Sequence, residues 1–486
     1  MLSEFISKVE DLSKVLIFGI DGLQLSQVIP EKMPNLSKLK SRGTFWSEHH
    51  SVFPTVTRVN TVSMLTGCNP GTHGLAGNYV VLRDYDPSEV IPLLQPELEE
   101  VTAKIGPVLK VPNIVNIIAK YGLKFAAVNI GSTGNAYLHN YDKSPNGIVI
   151  HPEFCIPDTL EQDIQDRFGK WPAKTLYDED RQEKAMEILL SYVLDELDPS
   201  VAMFWSNNPD TVQHASPVGG QMSDKALSIV DNQIGKLSRY IDANKNMNIL
   251  FVSDHGYSTI KDTVNIADNI KKEMVHLIPD IDQILIAPNG GSVLFYINPP
   301  DVKVIETLID YLIQQPWCGN LLTSSKFGDI EGSVDLGITG LEGERSPDLV
   351  MSFRWENLMN EFSVPGVAYN SGGVKGNGLH GSMGFSEQHC TLIGFGPDFH
   401  EGIEVKIPSG NIDVAPTVLD LIGINDTFKM DGRVLSEGLV GRNLSSSEIL
   451  KKEIFKERKI HSTQYRQQID ISEYKGSIYI DQGKVF

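Results

Sequence analysis

The run KVLIFGI, residues 14–20, is apolar almost throughout and is followed at once by Asp21 and Gly22. A continuous apolar run of this length suits a strand covered on both faces, as in a parallel sheet between helices, and it leaves Asp21 at the strand's carboxyl end. The pattern recurs in FAAVNIG (125–131), VAMFWSN (201–207) and NILFVSD (248–254), each an apolar run ending on polar residues. Between them lie RQEKAMEILLSYVLDEL (181–197) and SDKALSIVDNQIGKLSRYI (223–241), whose apolar residues recur every three or four positions. The second is expected to open on Ser223 or Asp224 as its cap. Alternating strands and helices predict an α/β fold, a three-layer helix-sheet-helix sandwich with its ligand site at the carboxyl ends of the strands.

The chain has 486 residues, 41% of them apolar, enough for one large body carrying an insertion. From 262 to 370 the character changes to short strands and Gly/Pro-rich turns, as in APNGGSVLFYINPP and GLEGERSPDLVMSF, which predicts a smaller inserted α+β lobe, a substrate cap. The main body is expected over 1–261 and 371–445, closing with strand-like CTLIGFG and the helix DVAPTVLDLIGI, which has Asp413 near its start. The tail from 446 mixes Lys, Arg and Glu and reads as a solvated helix in a C-terminal extension. A net charge of -20 disfavours nucleic-acid polymers, whose binding draws on clustered cations. Cys68, Cys155, Cys318 and Cys390 are far apart and read as reduced thiols, so a cytoplasmic location is expected. Glu4, Lys8, Glu10 and Asp11 interrupt what a secretory leader would need to be apolar, and no run is long enough to predict a membrane span.

Three strand ends carry acidic or imidazole groups: Asp21 after LIFGI, Asp254 and His255 after ILFVS, and Asp210 with His214 just after MFWSNNP. Asp210 and His214 stand four apart, so one helical turn can aim a carboxylate and an imidazole at one metal ion. His380, in GLHGSMG, is a further candidate among glycines. Each has an ordinary alternative, since such an Asp is commonly a cap or turn former and a histidine beside glycine commonly a loop residue. Their joint supply of three carboxylates and three imidazoles to one rim singles them out. Mixed oxygen and nitrogen donors fit zinc, with other divalent ions such as Mn2+ as options, and two such ions would outweigh three carboxylates and favour an anionic phosphate.

The stretch SVFPTVTRVNTVSMLTG (51–67) crowds Thr55, Thr57, Thr61 and Thr66 around a turn-to-helix junction and supplies no base of its own. A metal is then the natural activator of a threonine hydroxyl, and a helix N-terminus offers free N–H groups to a phosphoryl group. Thr57, just before the expected helix, is the best placed; its ordinary alternative is a helix cap.

FPTVTRVNTVSMLTGCNPGTHGLAGN (53–78), with DG at 21, PDTVQH at 209–214, SDHG at 253–256 and LHG at 379–381, resembles the alkaline phosphatase superfamily over roughly 14–425. The type I phosphodiesterase/nucleotide pyrophosphatase branch matches best, with phosphonoacetate hydrolase a near relative. The resemblance implies an alkaline-phosphatase-type sandwich and two zinc ions, one held by Asp210, His214 and His380, the other by Asp21, Asp254 and His255 beside Thr57. It implies Thr57, rather than Thr55, as the nucleophile forming a phosphothreonine that water then cleaves, and Asn78 as a donor to the phosphoryl oxygen. Residues alone would make Asn78 a turn residue.

Arg58-Val59 departs from the aromatic-proline pair that often follows the nucleophile in the better-known secreted members of the family it resembles, which puts recognition of a nucleotide base in question. Arg58 is expected to face solvent, the alternative being contact with a substrate's second anionic group. Cys68 lies eleven residues beyond the nucleophile position that a modified cysteine fills in sulfatases, and Thr57 stands where phosphoglycerate mutase relatives use serine. The expected activity is hydrolysis of a small phosphodiester or pyrophosphate, with no nucleic-acid polymer as substrate and a homodimer among the options for assembly. The alternatives are carbon-phosphorus cleavage, which would call on cations such as Lys303, Arg345 or Arg354, and a catalytically silent metal-binding protein.

Overall fold

The structure, a computed structural model, describes residues 13–244, 246–278, 280–424, 428–442 and 447–486. The N-terminal charges that argue against a leader, and the expected start of the C-terminal extension at 446, lie outside the described residues. Strands β1 (Lys14–Ile20), β2 (Thr44–Trp46), β3 (Phe125–Asn129), β4 (Gly147–His151), β5 (Phe154–Ile156), β6 (Val201–Ser206), β7 (Met247–Val252), β8 (Leu392–Phe395) and β9 (Ile403–Val405) form one sheet. Its order is β9-β2-β8-β7-β1-β6-β3-β4-β5. The five strands β7-β1-β6-β3-β4 run parallel, whereas β8 is antiparallel to both its neighbours and β5 closes the other edge antiparallel to β4.

Both faces of this sheet are buried, which is why its strands read as unbroken apolar runs. Leu16, Phe18 and Ile20 of β1 point into one core with Phe204, Phe251 and the helix side chains Leu227, Val230, Ile234 and Leu237. Val15 and Ile17 point into the other with Met203, Trp205 and Leu250, against Met64, Ile114, Ile118, Val414 and Val418. The three-layer sandwich follows from this alternation.

Helix α1 spans Thr57–Thr66, α2 Asp210–Ala215, α3 Gln221–Ala243 and α4 Phe385–Gln388. Helix α3 starts before the expected Ser223 or Asp224, with Gly220 in the capping position, because the buried Ser223 hydroxyl donates to Gln213 Oε1 instead. The stretch expected to be helical at 181–197 is so, as an α-helix over Glu179–Ile188 that widens into a π-helix over Leu189–Leu197.

Within 262–370, strands Ile284–Asn289, Ser292–Ile297, Cys318–Thr323, Val334–Asp335 and Leu349–Phe353 build a five-stranded sheet, and the helix Val302–Leu312 packs in its apolar core. A four-stranded sheet joins Ser258–Thr263, Trp355–Met359, Pro365–Asn370 and Gly378–Leu379, so both expected lobe edges fall inside one hydrogen-bonded sheet.

The tail is not helical. It forms three long antiparallel strands, β10 (Leu450–Ile460), β11 (Thr463–Tyr474) and β12 (Ser477–Val485). Strand β10 is a charged edge strand, which hides the two-residue alternation a strand would show, and charge on an edge discourages pairing with other chains. Strand β11 carries the packing: Tyr465 and Ile469 are buried, and the Gln467 amide bonds the Leu321 backbone of the lobe in both directions.

The β1–β6 contact depends on Gly19, because a Cβ there would lie 2.2 Å from the Trp205 ring. Gly19→Ala is therefore expected to destabilise the protein by about 2 kcal/mol through overpacking, measured as a fall in the urea midpoint; an unchanged midpoint would show that Trp205 has room to move.

Candidate active site

In-register pairing of β1 with β6 and β7 brings their carboxyl ends together: Ile20 lies opposite Ser206, and Gly19 opposite Val252. Asp21 leaves β1, Asp210 opens α2 after β6, and Asp254 and His255 leave β7. The turn after Asp21 needs glycine. Gly22 has φ +71, its N–H donates to Asp254 Oδ1 at 3.0 Å, and a Cβ would lie 2.5 Å from the Tyr257 ring. His380 reaches the same rim from the loop after Gly378–Leu379.

All the sequence-expected ligands meet here. His214 Nε2 lies 3.3 Å from Asp210 Oδ1, His380 Nε2 3.5 Å from the same oxygen, and the two imidazole nitrogens are 3.2 Å apart. Beside them, His255 Nε2 is 3.2 Å from Asp254 Oδ2 and 3.8 Å from Asp21 Oδ1. The His255 and His380 rings stack with centroids 3.7 Å apart, so the two groups share a wall. Asp210 stands between them, close enough to offer an oxygen to Asp21 and His255 as well as to His214 and His380.

The donor set fits a metal on four counts. His380 Nδ1 lies 2.7 Å from the Thr55 carbonyl oxygen and His255 Nδ1 3.0 Å from that of Gly256, so each N–H is fixed and each Nε2 presents its lone pair to the carboxylates. Asp254 Oδ2 is buried with no hydrogen-bond partner. Ligand bonds of about 2.0 Å in a tetrahedron put donors about 3.3 Å apart, close to the spacings here. Finally, burial, and then the charges of Asp254 and Asp210, push the Asp21 carboxyl well above its usual range, and burial pushes Asp254 up too. Burial opposes the ionised form of Asp210 as well, but His214, by charge and by a hydrogen bond, leads the influences that hold that carboxyl low, and burial pushes His380 down.

Thr57 is the first residue of α1, with Val56 rather than Thr57 in the capping position. Its hydroxyl faces the cluster, 3.4 Å from Asp21 Oδ1 and 3.4 Å from His255 Nε2. The other threonines of the stretch are turned inward: Thr55 is fully buried, accepting from Gly381 N–H and donating to the Ser382 carbonyl and Glu387, and Thr66 donates to the Val62 carbonyl. Asn78 stands over the helix start, its Oδ1 accepting from the Arg58 N–H at 3.2 Å.

Arg58 does not face solvent. It is 8% exposed, its Nε has no hydrogen-bond partner, and burial lowers its guanidinium to about 10, with Tyr79, Asp21 and Glu97 pulling the other way. A Cβ on Gly134 would lie 2.8 Å from the Arg58 Nε, so the guanidinium packs against the helix Thr133–His139 rather than on an outer face of α1. Among the three cations considered for a phosphonate's carboxylate, Arg345 is buried in contacts with Asp84 and the Val108 carbonyl.

Sequence reasoning missed the residues that hold the cluster in place. Trp205 Nε1 donates to Asp21 Oδ2 at 3.1 Å, and the Tyr257 hydroxyl donates to Asp210 Oδ1 at 2.5 Å. Asn289, in the lobe's NGG turn, accepts from the N–H groups of Asn78 and Tyr79, and Gly291 N–H donates to the His380 carbonyl. Tyr257 was findable, two residues beyond His255; Trp205 and Asn289 carry no local signal, because what they do depends on remote pairing. Tyr257→Phe is expected to weaken divalent-metal affinity about 10-fold with the fold intact, measured by competition against a chromophoric chelator and by circular dichroism; unchanged affinity would deny Tyr257 its hold on Asp210.

The described residues contain no helix long and apolar enough to cross a membrane. The family model for type I phosphodiesterase / nucleotide pyrophosphatase matches residues 15–377, so His380 joins the cluster by geometry just past the matched span. Human ectonucleotide pyrophosphatase/phosphodiesterase family member 1 is 24% identical over 424 residues, 84% of this chain and 40% of the relative. A venom phosphodiesterase from Macrovipera lebetinus is 25% identical over 260 residues, 51% of this chain and 26% of the relative. The chain thus spans two fifths or less of the length of these curated relatives. With a match running through β1, α1, α2 and the Asp254–His255 loop, the chain belongs to the type I phosphodiesterase/nucleotide pyrophosphatase family.

Proposed function

We propose that this chain hydrolyses a phosphodiester or pyrophosphate bond in a small substrate of nucleotide size through a covalent phosphothreonine on Thr57. The observation that carries the reading is the position of the Thr57 hydroxyl at a helix start, 3.4 Å from both an aspartate oxygen and an imidazole nitrogen of the donor cluster. Asp210, His214 and His380 would hold one divalent ion, and Asp21, Asp254 and His255 the other, with zinc the proposed identity. Bound there, the pair would lower the pKa of the threonine hydroxyl and offset charge on the phosphoryl group and the leaving oxygen.

The remaining work falls to the chain itself. Thr57 attacks phosphorus, the P–O bond to the leaving group breaks, and water then releases phosphate or phosphomonoester from Thr57, so two inversions give retention at phosphorus. Asn78 is oriented to donate through Nδ2, since its Oδ1 is engaged by the Arg58 N–H. Asp21 and His255 keep Thr57 facing the cluster. The family and the names of the relatives support this reading, and the completeness of the donor set argues against a silent protein. Four buried, unpaired thiols support a reducing compartment such as the cytoplasm.

Arg58 narrows the substrate. Arg58, the residue after Thr57, is a buried guanidinium whose Nε has no hydrogen-bond partner, which suits a second anionic group such as the distal phosphate of a pyrophosphate. Thr57→Ala is expected to abolish hydrolysis of bis-p-nitrophenyl phosphate while retaining bound metal, read from initial rates and metal analysis; wild-type turnover removes Thr57 from the chemistry. Arg58→Gln is expected to lower kcat/KM for a dinucleoside pyrophosphate about 10-fold or more and to change that for bis-p-nitrophenyl phosphate by less than about 3-fold, the worth of a charged hydrogen bond. Turnover of phosphonoacetate alone would replace the phosphodiester reading with carbon-phosphorus cleavage.

A further inference from the structure

Away from the active site, a second set of metal-type donors lies where the main body meets the C-terminal sheet. Glu48 and His50 precede the segment leading to Thr57, His389 follows α4, and Asp481 comes from β12. One ligand atom each from Glu48, His50 and His389 lie within 4.8 Å of one another. His50 Nε2 is 3.0 Å from Asp481 Oδ1, and His389 Nε2 is 3.7 Å from Glu48 Oε2.

The hydrogen bonds around these rings leave a cation missing from the account. His50 Nδ1 lies 2.9 Å from the Ser409 carbonyl oxygen and His389 Nδ1 3.2 Å from that of Phe385, so both Nδ1 atoms must carry their protons. Each Nε2 is then aimed at a carboxylate. His389 is 7% exposed, and its Nε2 has no hydrogen-bond partner; at 3.7 Å, Glu48 is too far to provide one. Protonating both rings would set two imidazolium ions with centroids 4.5 Å apart, a pair of like charges that burial leaves uncompensated. With its Nδ1 proton on the Phe385 carbonyl, His389 turns a buried, unpartnered Nε2 towards Glu48, and a cation between the two would complete that contact. The rings are also fixed in advance: Phe385 stacks on His389 at 3.8 Å and Tyr479 on His50 at 5.7 Å. Lys451 acts electrostatically on Glu48, but it is exposed and leaves the buried His389 nitrogen unanswered.

We propose that Glu48, His50 and His389 bind a divalent transition-metal ion of the zinc type, with Asp481 of β12, whose Oδ1 faces His50 Nε2 at 3.0 Å, as a fourth ligand. Two imidazoles and two carboxylates are a zinc-type donor set, and the His50–Asp481 and His389–Glu48 spacings of 3.0 and 3.7 Å bracket the separation such ligands need. The ion is a staple. It ties the C-terminal sheet to the base of the segment carrying Thr57 and to α4, whose Glu387 holds Thr55 and Ser382. This assignment is independent of the hydrolase reading.

The test counts metal. Protein stripped with a chelator is titrated with Zn2+, freed of excess by gel filtration and assayed for zinc per chain, alongside His389→Gln, Glu48→Gln and His214→Ala. The expected result is one equivalent fewer in His389→Gln and in Glu48→Gln than in wild type, a separate equivalent lost or weakened in His214→Ala, and additive loss in His389→Gln/His214→Ala. The apparent Kd of the equivalent lost with His389 should be at least about 10-fold weaker in Glu48→Gln, whose partly exposed side chain leaves the fold undisturbed. Zinc should raise the wild-type Tm by more than it raises that of either seam variant. Equal zinc counts in wild type and both seam variants, or loss confined to His214→Ala, would overturn the proposal while leaving the active-site reading standing.

Discussion

Three carboxylates packed at the carboxyl ends of β1, β6 and β7 set the conditions for everything else in this protein. Strand register alone brings Asp21, Asp210 and Asp254 together, and burial withholds the water that would spread their charge. Such a cluster is destabilising by itself, as the upward push on Asp21 from burial and from its two acidic neighbours shows. The structure nevertheless fastens each member: Trp205 to Asp21, the Gly22 N–H to Asp254, and Tyr257 to Asp210. A fold that pins mutually repelling groups in place is preorganised for cations, and the three imidazoles on the same rim, with their Nδ1 protons fixed on carbonyls at His255 and His380, complete the donor set.

The rim is completed only by segments far apart in the chain. Thr55 is the centre of this convergence: its carbonyl orients His380, its hydroxyl meets Gly381, Ser382 and Glu387, and two residues on stands Thr57. The lobe contributes through its NGG turn, where Asn289 holds the Asn78 backbone and Gly291 bonds His380. The four-stranded sheet that straddles the lobe's edges makes this placement rigid, because main body and lobe share one ladder. The candidate ligand and catalytic groups are thus held by backbone pairing rather than by a flexible linker.

What could be read in the sequence was whatever depends on local order. The apolar runs of β1, β6 and β7 show a strand's length and its burial on both faces, so the polar residues that end them fall where ligands are found. Asp210 and His214 share a helical turn and need no further information. The tail failed for the opposite reason: β10 is an edge strand with charge on both faces, so its period vanishes, and the buried alternation sits in β11, behind a Lys/Arg/Glu-rich front. Arg58 was misread because an arginine inside a helix has no sequence mark of burial; only the packing of α1 decides which face is covered. Trp205 and Asn289 act through contacts set by strand register and lobe position, which residue spacing along the chain does not contain.

The overall charge of -20 and the local chemistry point in different directions, and Arg58 explains how one molecule accommodates both. Surface carboxylates in excess create a long-range field that repels anions, but salt screens it within about 8 Å. Inside the site the relevant charges are few and poorly screened. There the buried guanidinium of Arg58, whose Nε has no hydrogen-bond partner, is a positive charge far nearer than the acidic residues spread over a distant surface. The lowering of Arg58 by burial records the cost of keeping that cation out of water, and nearby Asp21 and Glu97 only partly offset it. On the proposed reading, Arg58 is the group that would meet a second substrate charge, and selectivity would be set within the site rather than by the sign of the whole protein.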